Sequence, residues 1–583
     1  MNAPTHFDCR NVNALWCSVL AETLARLGVR DAVISPGSRS TPLTLALVRH
    51  PEIAAVAVLD ERSAAFFALG MAKRAGRPTV LVCTSGTAGA NYYPAVIEAQ
   101  ESGVPLLVLT ADRPPEMRAC ASGQTIDQQQ LFGGHVNFFH ELAVPEAGEA
   151  ALRYLRQTVV HAVGRTLRPA GPVHLNAPFR DPLAPVDDGG GTAQAGGRIE
   201  WSRFFAEVAA GGEPVVHAAV PRLKPEGRGV IVAGPAQPAD PAAYAAAVGE
   251  IARRLGWPVL ADGLSPLRHY AAAVPQMVTC YDTILRNAGA AERLRPESVL
   301  CLGGWPTSKV LRAWLEAADA PTLLVSERPD NRDALHGRTR QVAVGLAALV
   351  EQVGQWPVAG EPNGYERRWA ADERKARAAL DARLEAAPGW FEPKVAWLLA
   401  RHLPAATPLF VANSMPVRDV EYVVPAGNRA LRILCNRGAN GIDGTLSTAL
   451  GVAHGAGRPA VLLTGDLALL HDTNGFLLRP KLRGALTVVL INNRGGGIFG
   501  HLPVAQFDPP FEEFFATPQE ADFGKLAAAY GVEHVVVRDG AHLTELVSVL
   551  PTSGIRVLEV KTDRRADAAG RKQWFAEVAA GLG

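Results

Sequence analysis

Short runs of aliphatic and β-branched residues alternate along the chain with stretches whose apolar residues return at helical spacing. Strands and helices in strict alternation predict parallel sheets covered on both faces. Three blocks carry the pattern. DAVISPG, IAAVAVLDE, TVLVCTSG, PLLVLTADR and GPVHLNAP read as strands of the first, and GVIVAG, WPVLAD, SVLCLGG and PTLLVSE as strands of the second. PLFVANS, RILCNRG, AVLLTGD, LTVVLINN, HVVVRD and RVLEV read as strands of the third. The expected fold class is α/β, with three doubly wound parallel-sheet domains over residues 1–186, 198–352 and 387–583. DDGGGTAQAGG, residues 187–197, lacks an apolar period and predicts a linker. The charged, helix-prone stretch 355–388 predicts a surface helix and connector; no apolar heptad is sustained that would make it a coiled coil.

The third block holds the most pointed pattern. In residues 460–496 an apolar strand ends at Asp466, a crossover with helical character follows, and a second apolar strand ends at Asn492–Asn493. A crossover of this length suits two parallel strands, so Asp466 and Asn493, 27 positions apart, should meet at one carboxyl edge, where such sheets bind ligands. With a free backbone carbonyl from the glycines that follow, they form an oxygen-only set suited to Mg²⁺ carrying phosphates. The plainer alternative is that both residues simply turn the chain.

Polar residues gather at strand ends in the first block too: Ser38 and Arg39, Glu61, Thr84-Ser85-Gly86, and Arg113. Each has an ordinary alternative. Ser38 could cap a helix, Glu61 could pair with Arg62 or Lys73, and Arg113 could be solvated. TSGTAGANYYPAVIEA is a Gly-rich turn entering a helix, without dinucleotide or Walker spacing, and reads equally as a tight strand-to-helix turn. The second block offers only Lys309, itself readable as a solvated lysine, and so reads mostly as scaffold. Ser414, Arg418 and Arg437 follow the first two strands of the third block.

Composition narrows the classes. A chain of 583 residues exceeds one core, and 48% hydrophobic with 20% charged residues is ordinary for globular proteins. The net charge of +1 gives no reason to expect nucleic acid or an anionic membrane, so any anion binding must be local. Seven scattered cysteines without a CxxC pair read as small buried hydrophobes of a reducing compartment. No signal peptide or long apolar run is evident, and a cytoplasmic location is expected.

ISPGSRSTPL, DERSAAFFALGMAK, TSGTAGANYYPAVIEA, LTADRPPE, NSMPVRD, NRGANGIDG and GDLALLHD…NNRGGGIF together resemble the thiamine diphosphate-dependent 2-succinyl-5-enolpyruvyl-6-hydroxy-3-cyclohexene-1-carboxylate synthases of menaquinone biosynthesis. The resemblance spans all three blocks and implies the pyruvate oxidase/decarboxylase-like architecture. The first domain would bind the pyrimidine, the third the diphosphate, and the middle one would be structural. Sites would lie between subunits of a homodimer or a dimer of dimers. The chain departs from the general diphosphate-binding signature of thiamine diphosphate enzymes at Leu467, where a glycine is usual, and from the synthase family at Gly123-Gln124, where that family has Asn-Gln.

The resemblance implies a carboligase that decarboxylates 2-oxoglutarate and adds the succinyl-semialdehyde unit to isochorismate in a 1,4 sense. Glu61 would be the carboxyl group on the cofactor's pyrimidine nitrogen. Ile442, alternatively a core residue, would hold the cofactor bent. Thr84, Gly86 and Gly465 fall on cofactor-binding stretches. Asp466, Asn493 and the Gly495 carbonyl would hold Mg²⁺ or Mn²⁺. Ser414, Arg418 and Arg437 would face the donor carboxylates. Ser38, Arg39, Arg113, Gln124 and Lys309 would face isochorismate, with Ile498 and Phe499 lining the pocket. Two rival classes are another thiamine diphosphate carboligase or decarboxylase, such as an acetolactate synthase relative, and a non-catalytic binding protein on the same fold. A smaller, singly charged substrate would not call for so many arginines, and the retained Glu61, Asp466 and Asn493 oppose loss of catalysis.

Overall fold

The computed structural model describes residues 4–210, 218–223, 227–356, 358 and 364–582. Among them the strands form three six-stranded sheets in which every pairing is parallel. In spatial order the first runs Ala54–Ala57, Asp31–Ile34, Thr79–Cys83, Leu106–Asp112, Pro172–Pro178, Phe138–Glu141. The second runs Thr339–Ala343, Thr322–Ser326, Ser298–Leu302, Gly229–Ala233, Val259–Ala261, Met277–Val278. The third runs Arg432–Leu434, Pro408–Val411, Ala460–Gly465, Ala485–Asn492, Gly554–Lys561, Glu533–Val536. Central strands are buried along nearly their whole length, as helices on both faces require. Every strand expected from sequence is present. The three that the pattern missed, Phe138–Glu141, Met277–Val278 and Thr339–Ala343, are edge strands, only partly buried or two residues long, with no apolar run to announce them.

Two expectations need correction. Residues 187–197 are not all linker: Gly191–Gly197 is a helix. The Asp188 carboxylate accepts from the Thr192 backbone N–H at 3.2 Å, and Gly196 is buried against Cys9, Leu15 and Trp201, so tertiary packing supplies what the glycine-rich sequence lacks. Of the 355–388 segment, residues 357 and 359–363 lie outside the described residues, and Gly364–Ala386 is one 23-residue helix. It is more than a surface connector. Tyr365, Trp369, Ala376, Leu380 and Leu384 form a buried stripe, and the first four join a core of the second sheet.

The chain falls into two compact units. One comprises Met1–Glu213, Asn436–His454 and Asp472–Leu482; the other comprises Pro214–Cys435, Gly455–His471 and Arg483–Gly583. The first sheet belongs to the former, the second and third sheets to the latter. In each sheet the strand order reverses, between Asp31–Ile34 and Thr79–Cys83, between Gly229–Ala233 and Ser298–Leu302, and between Pro408–Val411 and Ala460–Gly465; the first and third sheets turn back again at one edge. A crevice opens at such a reversal, and that is where ligands bind. The second sheet closes its own. Gly234 donates to Leu302 O at 2.9 Å and Gly304 to Pro235 O at 3.0 Å, and a Cβ on Gly234 would sit 1.6 Å from Gly304 O. The other two crevices carry the polar residues singled out above.

Within the first unit, helix Glu61–Ala75 lies against helix Thr445–Ala453 with backbones in contact. A Cβ on Gly70 would meet Thr448 O at 2.0 Å, and one on Gly451 would meet Phe67 O at 2.0 Å. The Asp472 carboxylate accepts from Ser447 N–H at 2.6 Å and its hydroxyl at 2.9 Å, and Asn474 donates to Asp60 at 2.7 Å. This pairing holds the first turn of the helix that begins with Glu61. Gly70→Ala is therefore expected to cost about 1–3 kcal/mol or more by overpacking, visible as a lower urea midpoint and Tm. Unchanged stability would mean that the helices do not meet at Gly70.

Candidate active site

In the first unit the carboxyl edge is built on a buried polar network. Thr110, Asp112, His174 and Asn176 interrupt apolar strands and are wholly buried. Thr110 Oγ1 donates to Asn176 Oδ1 at 2.8 Å, Asn176 Nδ2 to Asp112 at 2.8 Å, and Arg118 pairs with Asp112 at 3.1 Å and Glu141 at 2.9 Å. Gln128, buried above it, donates to Asn176 Oδ1 and Ala111 O and accepts from Gly86 N–H at 2.9 Å. Sequence reasoning missed Gln128 and this network. Its signal was four polar residues at alternate positions in otherwise apolar strands, since buried polar groups require partners.

That network supports the turn Thr84-Ser85-Gly86. Gln124 donates from its side chain to Ser85 O at 3.0 Å, and Ser85 Oγ returns a bond to Gln124 O at 2.9 Å. Arg39 N–H donates to Thr84 Oγ1 at 3.3 Å, so two turns flanking the strand-order reversal are joined. Arg39 is buried, with a bond to Phe179 O at 3.0 Å and an ion pair to the exposed Asp181 at 3.7 Å; Arg113 donates to Gly123 O at 2.8 Å. The Nε atoms of both are buried without a hydrogen-bond partner among the described residues. Burial, and next the like charge of Arg113, pull the Arg39 pKa down. Two close guanidiniums with unused donors suit an anion. Ser38 is exposed and does not cap helix Thr41–Arg49: its carbonyl accepts from the Thr41 hydroxyl.

Glu61 is half-buried at the first turn of its helix, which Asp60 caps by accepting from Ser63 N–H at 3.0 Å. Lys73, one alternative partner for Glu61, pairs instead with buried Glu98 at 3.7 Å. The same Glu98 accepts from Gly438 N–H at 3.1 Å and Ala439 N–H at 2.7 Å, which anchors the NRGANGIDG loop in this unit. Arg437 and Ile442 on that loop are both half-buried, so Ile442 is no core residue.

In the second unit, Gly465 pairs in register with Ile491, which brings Asp466 and Asn493 together as the spacing predicted. Asp466 opens helix Asp466–His471. Its carboxylate accepts from Leu467 N–H and Gly495 N–H, each at 2.8 Å. Burial lifts its pKa to about 6 against those two bonds. Leu467 lies inside the helix, where a glycine's extra freedom is not needed. Gly495 has φ 131°, and a Cβ there would lie 2.4 Å from Ala516 O. Its carbonyl is not free, as sequence suggested, because it accepts from Gly497 N–H at 2.9 Å; a second lone pair remains. Asn493 Nδ2 donates to Glu392 at 2.7 Å, while Asn493 Oδ1 is buried without a hydrogen-bond partner among the described residues. A carboxylate and an orphaned buried amide oxygen fit a hard divalent cation. Space is open where a Gly465 side chain would stand, which suits a group bound at this strand end.

Ser414 opens helix Met415–Val423 at φ 69°, ψ −128°, a region nearly reserved for glycine, and Arg418 donates to its carbonyl at 2.6 Å. Arg418, Lys309 and Ile498 line one cavity of about 1040 Å³, together with Arg286, Arg564 and Lys572, which sequence reasoning missed. The basic run in RRADAAGRKQW was the available signal for the last two. Lys309 is exposed at the start of helix Lys309–Ala318, capped by Ser308. Phe499 packs edge-on against Phe515 at 5.9 Å.

Family models match in chain order: the thiamine pyrophosphate enzyme N-terminal TPP binding domain over residues 17–131, the middle domain over 204–411, and the C-terminal TPP binding domain over 425–560. The chain is 52% identical over 590 residues to 2-succinyl-5-enolpyruvyl-6-hydroxy-3-cyclohexene-1-carboxylate synthase of Synechococcus sp. (strain JA-3-3Ab), covering 98% of each. The protein of that name from Microcystis aeruginosa is 50% identical over 571 residues, with 97% of this chain and 99% of the relative covered. Among solved structures, benzoylformate decarboxylase from Polynucleobacter necessarius aligns with a TM-score of 0.65 at 17% identity, over 94% of this chain and 98% of that one, a likeness of fold.

The Ser414 backbone makes a separable prediction. Ser414→Gly should relieve about 1–3 kcal/mol of strain, partly offset by glycine's greater unfolded-state entropy, whereas Ser414→Ala keeps the strain. In equilibrium denaturation the glycine variant should be the more stable of the two. The reverse order would exclude strain at this residue.

Proposed function

The chain belongs to the 2-succinyl-5-enolpyruvyl-6-hydroxy-3-cyclohexene-1-carboxylate synthase family of thiamine diphosphate-dependent enzymes, and we propose that it decarboxylates 2-oxoglutarate and adds the succinyl-semialdehyde unit to isochorismate by 1,4-addition, in cytoplasmic menaquinone biosynthesis. The observation that carries this reading is identity at half of all positions, over nearly the full length, with relatives of that name.

Domains 1–186, 198–352 and 387–583 are assigned to the pyrimidine, to scaffolding and to the diphosphate with its metal. When bound, thiamine diphosphate supplies the nucleophilic carbon and the electron sink. Asp466 and Asn493, with the Gly495 carbonyl, would hold Mg²⁺ or Mn²⁺; the orphaned Asn493 oxygen supports this. Gly465, Thr84 and Gly86 border the cofactor, and Ile442, Ile498 and Phe499 supply apolar surface to it. Glu61 holds a proton for the pyrimidine ring nitrogen, a task for a carboxyl group and not for an amide. Ser414, Arg418 and Arg437 orient the donor carboxylates. Arg39, Arg113 and Lys309 neutralise the acceptor's carboxylates, while Ser38 and Gln124 orient it by hydrogen bonds. The unused donors of Arg39 and Arg113 favour this assignment. A homodimer or dimer of dimers would complete each site between subunits.

Product analysis with thiamine diphosphate, Mg²⁺, 2-oxoglutarate and isochorismate tests the reading directly. The expected result is the named cyclohexene carboxylate, with pyruvate failing as donor; carboligation of pyruvate instead would place the chain with acetolactate-type enzymes. Glu61→Gln should suppress carbon dioxide release at saturating cofactor without unfolding the chain, and normal turnover would remove Glu61 from its role. Donor and acceptor cations should separate by stage. Arg437→Ala is expected to impair 2-oxoglutarate decarboxylation measured without isochorismate. Lys309→Ala should spare that step and raise the isochorismate requirement by roughly one to two decades, the worth of a charge-assisted bond of about 1.5–3 kcal/mol. The opposite pattern would reverse the two assignments.

A further inference from the structure

We propose that Glu392 is a positioning residue of the metal centre, fixing which end of the Asn493 amide faces Asp466. The inference rests on the reading above that Asp466 and Asn493 hold a divalent cation. The two ends of a primary amide are nearly alike in size, yet only the oxygen can ligate a metal. Packing alone therefore does not choose between them. A hydrogen-bond partner does.

That partner is Glu392, the first residue of helix Glu392–His402 and 1% exposed. Its Oε1 accepts from Asn493 Nδ2 at 2.7 Å. A carboxylate only accepts, so an inverted amide would set oxygen against oxygen, and Asn493 Oδ1 is left as the buried, unpartnered atom. Glu392 is itself held on every side. Its Oε2 accepts from Arg571 at 2.7 Å, its Oε1 also from Thr562 at 3.2 Å, and its backbone N–H donates to Asp567 at 2.8 Å. Arg571 is 3% exposed and forks onto both oxygens of Asp419 at 2.8 Å. Burial works against the guanidinium's charge, but Asp419 and then Glu392 outweigh it and hold it firmly protonated. The C-terminal helix Arg564–Ala580 thus fixes Glu392, and Glu392 fixes the metal ligand.

A purely structural ion pair would account for the Arg571 contacts but not for a preference at Asn493. Glu392→Gln distinguishes the two. The glutamine oxygen goes to Arg571, the stronger donor, so its NH₂ turns to Asn493 and inverts that amide. Mn²⁺ binding in the presence of thiamine diphosphate, read as loss of the free-ion electron paramagnetic resonance signal, should weaken tenfold or more. Adding Asn493→Asp should restore it, because a carboxylate offers oxygen at both ends. Asp466→Ala serves as the control. Loss of binding in the control with unchanged binding in Glu392→Gln would overturn the positioning role alone, while unchanged binding in the control would overturn the metal reading itself. Equal weakness of the single and double variants would also overturn the positioning role. Should Glu392→Gln not fold, Glu392→Asp keeps the charge for Arg571 but withdraws from Asn493. Weaker Mn²⁺ binding in a folded Glu392→Asp protein then supports the role, and binding like the parent's overturns it.

Discussion

Asn493 has one side-chain atom committed and one left over, and the second unit's edge is built around that asymmetry. Its nitrogen is taken by Glu392, its oxygen is buried without a donor, and the Asp466 carboxylate beside it is pushed toward neutrality by burial. Buried oxygens without donors are costly in a folded protein, on the order of 1–3 kcal/mol each. The arrangement makes physical sense when a cation completes it. Parallel pairing is the precondition, because only there do both strands end at the same edge in register.

The first unit solves the converse problem. Arg39 and Arg113 bring two cations close together with donors unused, over a floor of buried polar groups whose own bonds are nearly all made inside the protein. A chain of net charge +1 can bind multiply charged anions only by concentrating cations in this way. The 1040 Å³ cavity repeats the strategy with Lys309, Arg418, Arg286 and Lys572. In the second sheet Gly234 lies against Gly304 at the strand-order reversal, where a Cβ would sit 1.6 Å from the Gly304 carbonyl.

Much of this was legible beforehand because it is local or periodic. Apolar runs of strand length announced all the central strands, and parallel topology followed from their alternation with helices. The polar residues at strand ends were readable because a carboxyl edge collects whatever follows each strand. Edge strands such as Thr339–Ala343 were not, since half-exposed strands need no apolar run. The helix Gly191–Gly197 was hidden because packing, not propensity, makes it, and the buried stripe of Gly364–Ala386 was masked by the charges on its other faces.

By itself, then, the sequence determined the three parallel-sheet blocks, their family, and which residues stand at the strand ends, because these depend on spacing and residue type. Tertiary structure alone decided which of those groups have partners and which do not. Gln124 returns its side chain to Ser85, Lys73 goes to Glu98 rather than Glu61, the Gly495 carbonyl is shared with Gly497, and Glu392 meets Asn493 from 101 positions away. Those outcomes depend on three-dimensional competition among donors and acceptors brought together from distant segments, and no local pattern in a chain records the result of that competition.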